Sequence, residues 1–281
     1  MADTVFTSVP REPGAVKPNA ILVADGVTRR FGGLTAVDVA HFEVERNSIT
    51  ALIGPNGAGK STFFNLLTGF DSAQEGEGTF EGRPLRGMSP AKVARAGMVR
   101  TFQLTKALNR MTVMENMRLG AQSQPGENLV RAFVPPLWAT REREISEQAH
   151  ELLHRFKLYE KREDYAGSLS GGQRKLLEMA RALMSKPTMV MLDEPMAGVN
   201  PALTESLLDH IVELKEDGMT VLFVEHDMHM VRRISDWVVV MAEGKIIAEG
   251  PANTVMANRA VQDAYLGSHH DTDLFEEREE A

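Results

Sequence analysis

Residues 54–62 form a glycine-rich stretch with one lysine, and their types and spacing suit the binding of phosphate groups. An apolar run, residues 49–53, precedes the stretch, and a predicted helix that ends near Gly69 follows it. The glycines let successive N–H groups turn inward around the β- and γ-phosphates of a nucleotide, and the helix N-terminus adds partial positive charge. Lys60 supplies a full positive charge, and the Ser61 hydroxyl can bind Mg²⁺. This predicted phosphate loop consists of Gly54, Pro55, Asn56, Gly57, Ala58, Gly59, Lys60, Ser61 and Thr62.

Two acidic residues, Asp193 and Glu194, follow a continuous apolar run at residues 188–192. Such a run is typical of a parallel strand covered on both faces, and ligands bind at the carboxyl ends of these strands in α/β folds. We therefore predict that Asp193 holds the Mg²⁺ through water and that Glu194 polarises the attacking water. Two solvated acids at a strand end are the ordinary alternative, but the phosphate loop in the same chain favours the catalytic interpretation.

The surrounding patterns indicate an α/β fold: a doubly wound P-loop NTPase core with an N-terminal antiparallel β layer and a helical insertion subdomain. Residues 21–31 and 37–44 alternate polar and apolar side chains, which predicts two antiparallel strands. Strand and helix patterns then alternate in the C-terminal half, which predicts a parallel sheet. A capping box at Thr112 and Glu115 and a helical pattern from Ala139 place helices within the insertion, about residues 104–170.

Composition and charge narrow the possible functions. The net charge of −8 argues against a nucleic-acid partner, and the absence of cysteine excludes disulfides and thiolate metal sites. The sequence contains no apolar run of about 18 residues, so no transmembrane helix is predicted. The N-terminus does not resemble a signal peptide. We predict a loose extension at residues 1–20, one domain at 21–267, and an acidic, disordered tail at 268–281.

From about Ile21 to Gly267, the chain resembles the ATP-binding cassette (ABC) family of transport ATPases. The motifs of that family occur in order: the phosphate loop, Gln103, the sequence L-S-G-G-Q at 169–173, M-L-D-E at 191–194, and His226. The resemblance implies that ATP and Mg²⁺ bind here and that a second cassette, identical or paralogous, forms a head-to-tail dimer. In such a dimer the turn formed by Ser170, Gly171 and Gly172 faces the γ-phosphate bound by the other subunit.

The resemblance also implies roles for three isolated residues. Gln103 would contact Mg²⁺, and the alternative is an ordinary loop glutamine. His226 would hydrogen-bond the γ-phosphate and join Glu194 and Lys60 in the catalytic set, and the alternative is a capping or core histidine. Phe31 would stack on adenine, and the alternative is packing within the small sheet.

Two further positions bear on assembly. Asn200 stands where many cassettes have an aspartate, and asparagine can hydrogen-bond across a dimer but carries no charge. Residues 104–108 follow Gln103 directly and open the insertion, so we predict that the surface of this segment contacts a membrane subunit and that Leu108 is its apolar anchor. Burial of Leu108 within the insertion is the alternative.

Several short motifs are similar to those of branched-chain amino-acid importers: R-F-G-G-L at 30–34, R-T-F-Q at 100–103, A-G-V-N-P at 197–201 and A-Y-L-G at 264–267. This similarity implies an ATPase subunit on the cytoplasmic face of the plasma membrane. Its partners would be integral membrane permease subunits and, indirectly, a solute-binding protein. The ATPase subunits of urea importers, short-amide importers and lipopolysaccharide exporters share many of these motifs and remain alternatives.

Two alternatives fall outside transport. A nucleotide-dependent clamp in translation or repair usually carries tandem cassettes or a long coiled-coil insertion, whereas this chain has one cassette and a modest insertion. A regulatory module without turnover would lack Glu194 or Lys60, and both are present.

Overall fold

The computed structural model describes residues 4–101, 108–122 and 135–266. The chain divides into two compact units. The core unit comprises Met1–Met98, Thr188–Pro195 and Ile211–Ala281. The helical unit comprises Val99–Pro187 and Met196–His210. Gln103, the segment 104–107 and the acidic tail at 268–281 lie outside the described residues.

A four-stranded antiparallel sheet in the core unit begins the described fold. Its strand order is β2-β1-β4-β5, and β1 pairs with β2 in a register that aligns Leu22 with Val44 and Val27 with Val39. These four residues are buried, which accounts for the apolar half of the alternation. The strands are β1 (Ala20–Phe31), β2 (Leu34–Glu45), β4 (Glu75–Phe80) and β5 (Arg83–Pro84).

The second sheet has the strand order β10-β9-β3-β8-β7-β6. Its central strand β3 pairs in parallel with both β8 and β9, and every residue of β3 and β8 is buried. Burial on both faces explains their continuous apolar sequences. The strands are β3 (Ile49–Ile53), β6 (Met98–Thr101), β7 (Met189–Asp193), β8 (Thr220–Val224), β9 (Trp237–Ala242) and β10 (Lys245–Gly250).

One apolar cluster in the core unit contains side chains from both sheets and from the helix that follows the phosphate loop. Phe63 of that helix meets Phe42 of β2 edge to face, with ring centroids 5.1 Å apart. The helices that lie entirely in this unit are α1 (Lys60–Leu67), α2 (Pro90–Arg95), α7 (Met228–Ile234), α8 (Ala252–Met256) and α9 (Arg259–Leu266). This architecture confirms the predicted α/β fold.

The helical unit contains α3 (Val113–Gly120), α4 (Pro135–Arg155), α5 (Gly171–Leu183) and the first part of α6 (Pro201–Glu216). The predicted capping box is present, because Thr112 and Glu115 each bond to the other's backbone. Helix α4 begins at Pro135, four residues earlier than Ala139. Among the described helices, none combines the length and apolar character needed to cross a membrane.

The prediction of a loose N-terminal extension is wrong for the part of it that the structure describes. A 3₁₀ helix at Thr4–Ser8 places Phe6 against Trp237, with the rings stacked at 4.9 Å. Lys17 Nζ lies 2.5 Å from Glu249 Oε2, and both side chains are buried. Composition alone could not show this packing, because the partners Trp237 and Glu249 lie more than 200 positions away along the chain.

Candidate functional site

The phosphate loop connects β3 directly to α1 in the core unit. Gly54, Gly57 and Gly59 have φ angles of 147°, 81° and 98°, which confirms that the loop uses backbone conformations that favour glycine. Helix α1 begins at Lys60, so its free N–H groups lie at the end of the loop. The resulting loop joins a buried strand to a helix N-terminus, the arrangement that binds phosphate.

Lys60 turns back into the loop that precedes it. Its Nζ donates to the carbonyl oxygens of Gly54 at 2.5 Å and Pro55 at 2.9 Å, and the residue is buried. Asn56 and Gly57, at the crown of the loop, are exposed. The ammonium is therefore held within the loop, where it can meet an anion that enters from solvent.

The ends of three parallel strands meet at one edge of the sheet. Val224 of β8 is aligned with Leu52 of β3 on one side and with Asp193 of β7 on the other. Because the strands run in the same direction, the phosphate loop, Glu194 and Glu225 all follow the same edge. The structure thus brings the two predicted acids to the edge from which the phosphate loop begins.

Glu194 has an unusual backbone conformation at this edge. Its φ angle is 47°, in the left-handed region, and its N–H donates to the carbonyl of Val224 at 3.0 Å. Its side chain is exposed, whereas Asp193 is half-buried. Left-handed backbone is costly for a residue with a side chain and is concentrated at functional sites. The carboxylate of Glu194 is therefore free of the strand and presented to solvent.

The donor groups at this edge fit Mg²⁺ and a triphosphate. The Ser61 hydroxyl is exposed at the start of α1, and the Asp193 carboxylate ends β7; both are oxygen donors of the kind that Mg²⁺ prefers. Within the described ranges, no group of three or more His, Asp, Glu or Cys side chains could hold a metal by itself. Mg²⁺ bound mainly by waters and phosphate oxygens needs no such group.

His226 follows β8 and is neither a core nor a capping residue. Its side chain is 63% exposed, and the cap of α7 is Asp227, whose carboxylate accepts from the N–H groups of His229 and Met230. The buried neighbour Glu225 accepts from the His226 N–H at 3.2 Å. The structure therefore does not support the core or the capping interpretation, and the hydrogen bond of His226 to the γ-phosphate stays a prediction. Sequence reasoning assigned no role to Glu225, whose only signal is an acid at the end of a buried strand.

Phe31 ends β1 and is not packed within the small sheet. The residue is 49% exposed, and the guanidinium carbon of Arg29 lies 4.7 Å from its ring centroid. An exposed ring beside a cation can still receive a flat aromatic ligand on its open part. Phe31 therefore lies at the surface, and its stacking on adenine stays a prediction.

In the helical unit, the turn of Ser170, Gly171 and Gly172 begins α5. Ser170 Oγ accepts from the N–H of Gln173, and Gln173 Oε1 accepts from the N–H of Ser170, so these two residues form a capping box. Ser170 and Gly171 are exposed, whereas Gly172 is buried. The N-terminus of α5 is thus rigidly capped and open to solvent.

Asn200 is used within its own unit. Its Oδ1 accepts from the N–H of Leu203 at 3.0 Å, which caps the start of α6. An aspartate could make the same bond, so the asparagine preserves the cap while removing a charge from the exposed turn before α6.

Leu108 is half-buried, so its exposure does not decide between contact with a membrane subunit and burial within the insertion. It lines a small cavity of about 20 Å³ in the helical unit with Asn116, Leu177 and Arg181 among others. Burial lowers the pKa of the Arg181 guanidinium, and the nearby Glu178 carboxylate opposes that shift. The structure does not describe Gln103 or residues 104–107, so the predicted link between Gln103 and Leu108 stays a prediction.

Comparison with known families places two parts of the chain. The model described as ABC transporter matches residues 37–197. A second model, described as branched-chain amino acid ATP-binding cassette transporter, matches residues 245–271. The first match contains the phosphate loop, the turn before α5 and the pair Asp193 and Glu194.

Individual relatives agree with these matches. The probable branched-chain amino acid transport ATP-binding protein LivG of Archaeoglobus fulgidus is 42% identical over 248 residues, covering 88% of this chain and 96% of the relative. The high-affinity branched-chain amino acid transport ATP-binding protein BraF of Pseudomonas aeruginosa is 41% identical, covering 88% and 98%. A crystal structure of a nucleotide-free ATP-binding cassette from an ABC transporter matches with a TM-score of 0.77 and 39% identity, covering 88% and 98%. The ADP conformation of MJ1267, an ATP-binding cassette of an ABC transporter, matches with a TM-score of 0.76 and 38% identity, covering 88% and 99%.

Proposed function

The chain belongs to the ABC transporter family, and from this premise we propose that it is the ATP-hydrolysing subunit of a branched-chain amino-acid importer. The observation that carries the ATPase assignment is the shared sheet edge, where the phosphate loop with its inward Lys60 follows β3, and Asp193 and Glu194 lie at the end of β7, the parallel strand on the other side of β8. The solute assignment is supported by the names of the relatives and by the match at residues 245–271. That C-terminal match favours branched-chain amino acids over urea, short amides or lipopolysaccharide.

The residues at this edge divide the work between binding and chemistry. Lys60 and the N–H groups of the phosphate loop bind the β- and γ-phosphates. Ser61 and Asp193, together with Gln103, hold Mg²⁺, which offsets phosphate charge when bound. Glu194 orients the attacking water molecule and polarises it by accepting a hydrogen bond from it on a carboxylate oxygen. His226 donates a hydrogen bond to the γ-phosphate. Phe31 stacks on adenine.

Assembly supplies the remaining groups. We propose that two cassettes bind head to tail, so that the exposed turn at Ser170 and Gly171 contacts the nucleotide held by the partner. The opening and closing of this dimer is then transmitted to integral membrane permease subunits. A solute-binding protein delivers the amino acid to those subunits. The chain accordingly works at the cytoplasmic face of the plasma membrane.

The test combines nucleotide binding with uptake. Lys60→Ala removes the ammonium from the phosphate loop, and loss of one charge-assisted contact should weaken ATP binding at least about tenfold by calorimetry. Lys92→Ala, at an exposed position on α2, is the matched control and should bind ATP normally. Cells that carry only the Lys60→Ala chain should lose uptake of labelled leucine, isoleucine and valine. Normal ATP affinity in Lys60→Ala would refute the site, and retained amino-acid uptake with lost ATP binding would refute the solute class.

A further inference from the structure

The turn between β9 and β10 lies directly against the phosphate loop. Its residues, Glu243 and Gly244, both have positive φ angles, of 49° and 79°, as a tight two-residue hairpin requires. The Gly244 N–H donates to the carbonyl of Ala58 at 3.0 Å, and the Gly244 carbonyl accepts from the N–H of Asp38 at 2.8 Å. Gly244 therefore connects the phosphate loop to β2 of the antiparallel sheet through its backbone alone.

The bond to Ala58 fixes the orientation of one peptide group in the loop. In a trans peptide the C=O and N–H bonds point in opposite directions. The carbonyl of Ala58 is directed toward Gly244, so the N–H of Gly59 points away from the turn. Gly59 is the last residue before α1, and its N–H belongs to the series that the loop offers to phosphate.

No spare room separates the turn from its neighbours. A Cβ atom on Gly244 would lie 3.0 Å from the carbonyl oxygen of Ala36 and 3.3 Å from Val37 Cα. A Cβ atom on Gly59 would collide with the same Ala36 oxygen and lie 3.4 Å from Gly244 Cα. Because the neighbours of residue 244 are backbone atoms of β2, a side chain there could be admitted only if the turn and β2 moved apart by a few tenths of an ångström.

We propose that Gly244 is a positioning residue of the nucleotide site: it holds the Ala58 carbonyl and thereby aims the Gly59 N–H at the bound phosphates. This inference rests on the proposed function and assigns a new part of the same site to the C-terminal hairpin. Gly244 acts through Ala58 and Gly59 and does not itself touch the nucleotide. A shift of the turn should therefore weaken ATP binding without removing any catalytic group.

The chain contains a matched control for this proposal. Glu81 and Gly82 form the turn between β4 and β5, with φ angles of 50° and 71°, close to those of Glu243 and Gly244. No described atom lies within 4 Å of a Cβ built on Gly82. Alanine therefore meets the same backbone strain at both positions, but it meets a neighbouring backbone only at residue 244.

The experiment compares Gly244→Ala with Gly82→Ala in the full chain. ATP affinity is measured by calorimetry with Mg²⁺, melting temperature without nucleotide, and KM and kcat in an ATPase assay. The proposal expects ATP binding about tenfold weaker in Gly244→Ala, the loss of one hydrogen bond to a charged group, with KM raised and kcat at saturating ATP retained. Gly82→Ala should bind ATP like the unchanged protein, with a fall in melting temperature that reflects the backbone strain alone and is smaller than that of Gly244→Ala.

Two outcomes separate the proposal from its premise. Equal ATP affinities for the two alanine variants, with Lys60→Ala still unable to bind, would overturn the role of Gly244 and leave the proposed function intact. Normal ATP binding by Lys60→Ala would overturn the proposed site itself. If Gly244→Ala does not fold, the pair Gly244→Asn and Gly82→Asn replaces it, because asparagine tolerates positive φ better than alanine and still adds a Cβ.

Discussion

The side chain of Leu203 fills the space in which a Cβ atom of residue 172 would lie: such an atom would collide with Leu203 Cδ2 and lie 3.0 Å from Leu203 Cγ. Gly172 is in the turn that begins α5, and Leu203 is in the first turn of α6. Both belong to the helical unit, where Asn200 caps the same turn of α6. A side chain at residue 172 could therefore be admitted only if the Leu203 side chain moved out of this space.

Gly172→Ala should be destabilising because of this collision, and Leu203→Ala should relieve it. Overpacking of this kind costs about 1–3 kcal/mol, so the melting temperature of Gly172→Ala should fall by several degrees. The double variant Gly172→Ala with Leu203→Ala should lose less stability than the sum of the single variants, as measured by a double-mutant cycle.

The neighbouring glycine provides the control for this cycle. A Cβ on Gly171 would lie 3.7 Å from the carbonyl oxygen of Gly198, an ordinary contact, so Gly171→Ala should melt close to the unchanged protein. Strict additivity of the Gly172 and Leu203 substitutions would show that their packing is not the reason for the glycine.

Glu194→Gln should separate ATP binding from hydrolysis. Glutamine has nearly the same shape as glutamate and the same cost for the left-handed backbone at residue 194. Its neutral amide, however, cannot act as a base toward the attacking water. Turnover should fall about a hundredfold or more, while calorimetry shows unchanged ATP affinity. With ATP and Mg²⁺ the variant should elute as a dimer in gel filtration, because the ATP-bound dimer persists when ATP is not hydrolysed.

Glu216→Gln tests whether loss of any acidic charge has this effect. Glu216 is exposed at the last position of α6, and its substitution should leave turnover unchanged. Undiminished turnover in Glu194→Gln, with only monomer in gel filtration, would remove Glu194 from the catalytic role.

The features that could be predicted from the sequence are those whose causes are contiguous in the chain. The phosphate loop places its glycines and Lys60 within seven positions, and each capping box needs only four residues. The contact of Gly244 with Ala58 and that of Leu203 with Gly172 join distant stretches that only the fold brings together. A pattern of apolar residues shows that a strand or helix is covered, but it does not name the segment that covers it.

The N-terminal segment makes a contact of this distant kind, and we predict that the contact contributes to the stability of the fold. Lys17 and Glu249 form a buried ion pair in which Glu249 also accepts from the Trp237 indole N–H at 2.7 Å and from the Ala15 N–H at 2.8 Å. Lys17→Met leaves that carboxylate buried without its cation, which costs about 3 kcal/mol or more. The melting temperature should therefore fall by about 5–10 °C.

A surface ion pair is the control for this measurement. Arg46 and Glu81 are partly exposed and 3.2 Å apart, so Arg46→Met should change the melting temperature little. If Lys17→Met also melts like the unchanged protein, the N-terminal segment does not contribute to stability in the way the structure indicates.

The last prediction concerns the contact with the membrane subunits. The carbonyl of Leu108 accepts from the N–H of Met111 and from the Asn116 side chain, so its backbone is fixed while its side chain is only half-buried. A fixed, partly exposed leucine can insert into a groove on a partner at little cost in conformational entropy. We expect Leu108→Glu to retain the ATPase activity and melting temperature of the isolated subunit, while assembly with the permease subunits and transport are reduced in a reconstituted complex.

Leu119 distinguishes docking at this position from a general effect of a new charge. It is 54% exposed on α3 in the same unit, so Leu119→Glu adds the same charge to another exposed leucine and should leave assembly unchanged. A large fall in the melting temperature of isolated Leu108→Glu would instead indicate that the residue belongs to the interior of the helical unit, beside Leu177 and Arg181. Transport by Leu108→Glu that matches transport by Leu119→Glu would show that the membrane subunits do not depend on this leucine.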